Sequence, residues 1–338
     1  MNTIDQNYPL VDLHRHIEGS IRIDTILDLA LQHNIPLPAR DVGNLRPHVQ
    51  VIKPQPGVMA FIAKIELVVS VLADYAACQR VAYETAEDAH DEGLNYVELR
   101  FSPYFMAEPH DLDPVGVVES VVNGIEAARE DTGMKVNLIG IISRTYGPDI
   151  AKDELSALLA NKDHIVGLDL AGDEAVFPGE LFVDHLIKAR AAGWHVTIHA
   201  GESSGPESVW QAIRDLGAER IGHAVHAVED ASLMDFMAEN GIGIEANLTS
   251  NVQTSTVTDY ASHPLRRFLE LDLLGTINTD DPRISRIDIQ YEYEVAAPAA
   301  GLTTEQIHQA QRNALQAAFL SDPDREALVQ QYAQDRQS

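Results

Sequence analysis

Short apolar runs recur along the chain, separated by stretches in which apolar residues fall at helical spacing. Read as buried strands, the runs are PLVDLH (9–14), NYVELRF (95–101), VNLIGII (136–142), IVGLDL (165–170), HVTIHA (195–200), RIGHA (220–224), GIGIEAN (241–247) and GTINTD (275–280). Mostly apolar runs of this length predict parallel strands covered on both faces. Between them, Val118, Val121, Val122, Ile125 and Ala128 line one face of a helix. Leu181, Phe182, His185, Leu186 and Ala189 line another, which Gly193 stops. Pro206 fits the first turn of a third helix, carrying Val209, Trp210 and Ile213.

Strands alternating with helices eight times over predict an α/β fold, a TIM-like (β/α)8 barrel. A doubly wound sheet would call for a Gly-rich phosphate loop after the first strand, and none is present. The gap between residues 14 and 95 far exceeds the roughly 30 residues of a βα unit. Helical patterns at 23–33, 57–75 and 79–93 therefore predict extra helices between strands 1 and 2. The segment 57–68 (GVMAFIAKIELV) is a candidate lid or pocket wall. The whole chain, 1–338, reads as one domain.

Barrel active sites sit at the C-terminal ends of the strands, and the unusual polar residues of this sequence fall there repeatedly. His14 and His16 end strand 1, Gly172 and Asp173 follow strand 4, and His199 and Glu202 end strand 5. His223 ends strand 6, and Asp280 and Asp281 end strand 8. Alternate residues of a strand share a face, so His14 and His16 can serve one metal ion, with His199 and Asp280 completing three imidazoles and one carboxylate. Glu202, three residues beyond a ligand, can reach a reacting atom without binding the metal, and Asp281 can face substrate while Asp280 faces metal. Arg15 points away from both histidines, toward the barrel floor.

The only cysteine is Cys78, so any metal site must use His, Asp and Glu. A net charge of −28 disfavours nucleic acid and anionic membranes as partners and leaves small neutral or weakly basic ligands compatible. With no long apolar run and no basic, then apolar, leader at the start, a cytoplasmic location is expected.

The segments HRHIEGSIR, LDLAGDE, HAGE, IGHA, LTSN and NTDDP resemble the signature segments of the adenosine deaminase family, in the amidohydrolase superfamily. YVELRFSP, LIGIISRTYG, GPESVWQAIRDLGAERIGH and AAPAAGL resemble its bacterial members in particular. The resemblance implies one Zn²⁺ per chain held by His14, His16, His199 and Asp280, and a hydrolytic deamination of adenosine and 2′-deoxyadenosine in purine salvage. It implies that Glu202 protonates purine N1 and that His223 activates or orients the attacking water. Asp281 would bond N7, Gly172 would meet N3 through its backbone, and His16 and Glu18 would also border the substrate. Two positions depart from the pattern. Adenosine-specific members usually carry Asp where Glu18 stands, contacting the ribose 5′-hydroxyl, whereas relatives acting on free adenine more often show H-x-H-x-E-G. Ala224 stands where a glycine usually follows the histidine, adding a methyl group near the site. Adenine, or another 6-aminopurine nucleoside, is thus the alternative substrate.

Overall fold

Eight parallel strands form a closed ring in the computed structural model, which describes residues 3–336. They are β1 (Val11–His16), β2 (Tyr96–Phe101), β3 (Lys135–Ser143), β4 (Ile165–Ala171), β5 (His195–Ala200), β6 (Arg220–His223), β7 (Gly243–Ala246) and β8 (Leu274–Ile277). Each pairs with the next in chain order. The ring closes through Asp280, whose N–H donates to His14 O and whose carbonyl accepts from His16 N–H, both at 2.8 Å. This is the (β/α)8 barrel expected from the alternation of strands and helices.

Most strand ends shift by one to three residues from the sequence reading, and at two of them the backbone shows why. Strand β8 stops at Ile277 and β6 at His223. Asp280 (φ +63°), His223 (φ +66°) and Ala224 (φ +54°) all take left-handed backbone, which cannot continue a strand. The pair at 223–224 re-aims the chain at the barrel rim. Ala224 is fully buried there, so its methyl group packs in the core instead of entering the cleft.

The interior of the barrel is not the branched-aliphatic filling common in this architecture. Outward positions such as Leu99, Leu168, Ile198, Ile221, Ile244 and Ile277 bury against helices. The inward set includes Glu98, Arg100, Asp169, Thr197, Arg220 and Glu245, all essentially inaccessible. These charges neutralise one another. Arg220 bonds Glu98 through Nη2 and Glu245 through Nε (2.7 Å), and Arg100 bonds Asp169 (2.8 Å) and Glu245 (2.9 Å).

Four helices separate β1 from β2: α1 (Ile23–Gln32), α2 (Val42–Val49), α3 (Val58–Val69) and α4 (Tyr75–Asp91). Helix α4 is the barrel-layer helix, capped by the Asp74 side chain and packed on the helix Pro114–Thr132. Helices α1, α3 and α4 fall on the three patterns read at 23–33, 57–75 and 79–93, whereas α2 was not foreseen; α3 leans on the 3₁₀ turn Glu18–Ser20 that follows β1. Arg15 faces away from the interior and grips Glu92 at 2.7 Å, so it joins the sheet to the end of α4 and does not reach the floor of the barrel. Among the described residues, no helix is long and apolar enough to cross a membrane.

Removing one member of a buried pair leaves the other charge uncompensated, at a cost of about 3–5 kcal/mol. Glu98→Gln is therefore expected to destabilise the fold by that amount in urea unfolding. A loss below about 1 kcal/mol would mean that Glu245 alone satisfies Arg220.

Candidate active site

Carboxylates in the barrel interior aim the histidines at the rim. His14 Nδ1 lies 2.7 Å from Glu245 Oε2, and His199 Nδ1 lies 3.0 Å from Asp169 Oδ2. Burial works against both carboxylates. Arg100 and Arg220 outweigh it at Glu245, and His199 and Arg100 outweigh it at Asp169, so both stay ionised. A carboxylate holding Nδ1–H leaves the Nε2 lone pair of each ring free for a metal ion.

The Nε2 atoms of His14 and His16 are 3.3 Å apart, and Asp280 Oδ1 lies 3.2 Å from the first and 3.3 Å from the second. A tetrahedral ion about 2.0–2.1 Å from each donor spaces its ligands roughly 3.3 Å apart, so this donor set fits zinc in chemistry and spacing. The group whose ligand atoms all lie within 4.8 Å of one another consists of His14, His199, His223 and Asp280, with His223 in place of His16. Five residues thus compete for four positions.

Facing this cluster is a cleft walled on one side by Val58, Phe61, Ile62 and Ile65 of α3 and by Phe105. The segment singled out at 57–68 is therefore a wall of the pocket. His16, Glu18, Gly172, Glu202, His223 and Asp281 also line it. Three of its carboxyl groups are pushed toward the neutral form. Burial raises Glu18 to about 7, against the pull of the Ser102 N–H that Oε1 accepts at 2.7 Å. Burial, reinforced by Asp280 and Glu174, raises Glu202 well above the ordinary range. Burial with Asp280, Glu18 and Glu202 does the same to Asp281. Glu18 Oε2 and Asp281 Oδ1 are buried without a partner among the described residues, so each is available to a ligand. Asp280 goes the other way: hydrogen bonds and charge from His14 overcome burial and keep it ionised. Burial lowers His16 to about 4 and holds His223 well below its usual value.

Two glycines shape the floor. Gly19 lies outside the left-handed region, and its role is space, not backbone freedom: a Cβ there would sit 1.6 Å from Asp281 Oδ1. Gly172 does adopt left-handed backbone (φ +108°), with Thr145 Oγ1 2.4 Å from where a Cβ would stand.

Residues without an assigned role in the sequence reading build the supporting shell. Asp169 and Glu174 lie within LDLAGDE, and Asn251 ends LTSN. Glu174 is the least expected. Its Oε1 accepts from Gly201 N–H (2.7 Å) and the Ser208 hydroxyl, and its Oε2 accepts from the N–H groups of Glu202 (3.2 Å), Ser203 (2.9 Å) and Ser204 (3.2 Å). Four successive N–H groups converging on one carboxylate form an anion nest, and here the anion belongs to the protein. It fixes the turn that carries Glu202. His226, just beyond β6, bonds Glu229 at 2.7 Å away from the cleft.

The profile of the adenosine deaminase family matches residues 9–334. An adenosine deaminase of Photorhabdus laumondii is 58% identical over 325 residues, covering 96% of this chain and 98% of the relative. One from Klebsiella pneumoniae (strain 342) is 57% identical over 330 residues, covering 98% and 99%. Among solved structures, an amidohydrolase from Burkholderia ambifaria with bound zinc superposes with a TM-score of 0.87 at 26% identity, covering 98% of this chain and 91% of that one. An adenine deaminase from Arthrobacter aurescens superposes at 0.89 and 24% identity, over 98% and 100%, a likeness of fold. With its length matched and its signature residues gathered at one rim, this chain belongs to the adenosine deaminase family.

Proposed function

We infer that this chain hydrolyses the 6-amino group of adenosine and 2′-deoxyadenosine, giving inosine or 2′-deoxyinosine and ammonia, with one zinc ion held by His14, His16, His199 and Asp280. The observation that carries the reading is the cleft in which Glu18, Glu202 and Asp281, all driven toward the neutral form, face the histidine cluster beside an apolar wall. The 54–58% identity to relatives named adenosine deaminase supports the substrate. Bound zinc would lower the pKa of a water from about 15.7 toward about 7.

The protein's own residues do the rest. Glu202, carrying its proton, delivers it to purine N1 and makes C6 electrophilic. Asp281 donates through its unpartnered carboxyl to N7, and the Gly172 N–H faces N3. His16 borders the base, and His223 orients the water that attacks C6. The wall of α3 and Phe105 covers the purine and strips water from it, which strengthens each of these polar contacts. Glu18 is anchored at Oε1 by Ser102, so only Oε2 projects, and it meets the ribose 5′-hydroxyl. A second reading, free adenine as substrate, is favoured by Glu18 alone, because its added methylene takes up sugar space.

Initial rates with adenosine, 2′-deoxyadenosine and adenine at equal concentration decide between them. The nucleosides are expected to lead, and a preference for adenine beyond about tenfold would overturn the reading. Glu18→Gln is expected to lower kcat/KM for adenosine by about 2- to 10-fold, the scale of one hydrogen bond to a largely neutral group, and to affect 5′-deoxyadenosine much less. Glu202→Gln keeps shape and metal but cannot deliver the proton, so kcat should fall by about 10²-fold or more at unchanged zinc content. Purified protein should hold about one zinc per chain, and His14→Ala and His199→Ala should each lose zinc and activity together by metal analysis and assay.

Glu174→Gln sets an amide NH₂ against backbone N–H donors and loosens the turn under Glu202. It is expected to lower kcat by about 10- to 100-fold with little change in KM or zinc content. An unchanged kcat would show that the turn holds itself.

A further inference from the structure

The side chains behind His223 form a hydrogen-bond chain whose polarity can be read from one end to the other. It begins at a group that can only donate, the backbone N–H of Leu265, 3.1 Å from His263 Nδ1. His263 Nδ1 must therefore accept. His263 is buried, and burial lowers its pKa to about 3, so the ring is neutral and its single proton sits on Nε2. That Nε2–H lies 3.1 Å from Asn251 Oδ1, which accepts it. The amide is then fixed in orientation, and its Nδ2 points at His223 Nδ1 from 2.9 Å. An amide nitrogen donates and does not accept. His223 Nδ1 is consequently the acceptor. Turning the amide over would set its NH₂ against His263 Nε2–H, a conflict relieved only if His263 lost both protons.

The other groups around His223 agree. Asn247 Nδ2, a second donor, lies 3.3 Å from the same Nδ1 and farther, 3.5 Å, from Nε2, and Glu202 Oε1 lies 3.5 Å from Nδ1. On the opposite side of the ring, Nε2 faces Asp280 Oδ2 at 3.9 Å, with the His14 and His199 rings each 5.1 Å away between centroids.

We propose that Asn251 and His263 are positioning residues that hold His223 as the neutral Nε2–H tautomer, so that the ring offers a hydrogen-bond donor and not a metal-binding lone pair to the cluster. This deepens the functional reading above and rests on it for the part His223 plays toward water. With its lone pair engaged at Nδ1 and a proton on Nε2, His223 cannot ligate through Nε2, which leaves the fourth ligand position to His16. The Nε2–H instead orients the attacking oxygen and steadies the negative charge that grows on it. Nothing in the chain requires His223 to remove a proton.

Long-range ¹H–¹⁵N correlation spectra of ¹⁵N-histidine-labelled, zinc-loaded protein read the tautomer directly, independently of turnover. Wild-type His223 is expected to show a protonated Nε2 and an unprotonated Nδ1. In Asn251→Asp a carboxylate accepts where the amide donated, so the pattern should reverse to Nδ1–H. His263→Phe frees the amide to rotate and should give a mixture. Loss of the Nε2–H donor should lower kcat by about 10²-fold, the scale of one such donor, with smaller change in KM. A wild-type His223 protonated on Nδ1, or an Asn251→Asp tautomer identical to wild type, overturns the proposal, and the wild-type spectrum decides alone if the variants do not fold. A protein with the expected tautomer that fails to deaminate adenosine would sink the functional reading and leave the tautomer lock standing.

Discussion

Arg100 stands at the centre of the barrel, and the geometry of the rim follows from it. One guanidinium holds Asp169 and Glu245, and these two carboxylates in turn hold His199 and His14. An Arg side chain is planar and permanently charged, so it fixes the separation of its two partners as well as neutralising them. The two imidazoles thereby share a common frame, and neither can turn without straining the other. Below this layer Arg220 repeats the device with Glu98 and Glu245, which continues the polar column toward the floor.

A barrel filled this way trades apolar packing inside the ring for orientation. The apolar contribution comes from the outer shell, where the alternate face of each strand meets the helices. The same low-dielectric interior that makes an unpaired charge costly also drives Glu18, Glu202 and Asp281 toward their neutral forms at the rim. Ionised carboxylates lie below the cluster, where cations meet them, and neutral ones lie above it, where a substrate rich in ring nitrogens would need donors.

The fold was legible because eight apolar runs alternating with helical stretches leave few alternatives to a barrel, and the rim residues were legible because strand ends in that architecture face one mouth. Arg100, Asp169 and Glu245 were hidden in mid-strand, inside runs whose apolar majority masked the alternate charged positions. Asn251 lay in a segment singled out from the sequence, yet its contact with His223 spans 28 residues of chain and depends on the turn of the helix Leu248–Gln253. Glu174 carries no signal of its own beside Asp173, because its partners gather only when the turn at 201–204 folds over it. The role of Gly19 could be seen only once Asp281, far along the chain, came to rest against it.

The ring closes through Asp280 and the two strand-end histidines at 14 and 16. During synthesis these residues emerge at opposite ends of the process. The first strand leaves the ribosome with one edge that has no partner until residues 274–280 follow it, and its histidines wait equally long for their carboxylate. A nascent chain that stops short of residue 280 therefore holds the imidazoles of the site without the carboxylate that joins them. The last strand to appear seals the barrel and completes the cluster in a single event, so a truncated translation product is left with an open sheet edge and no chemistry.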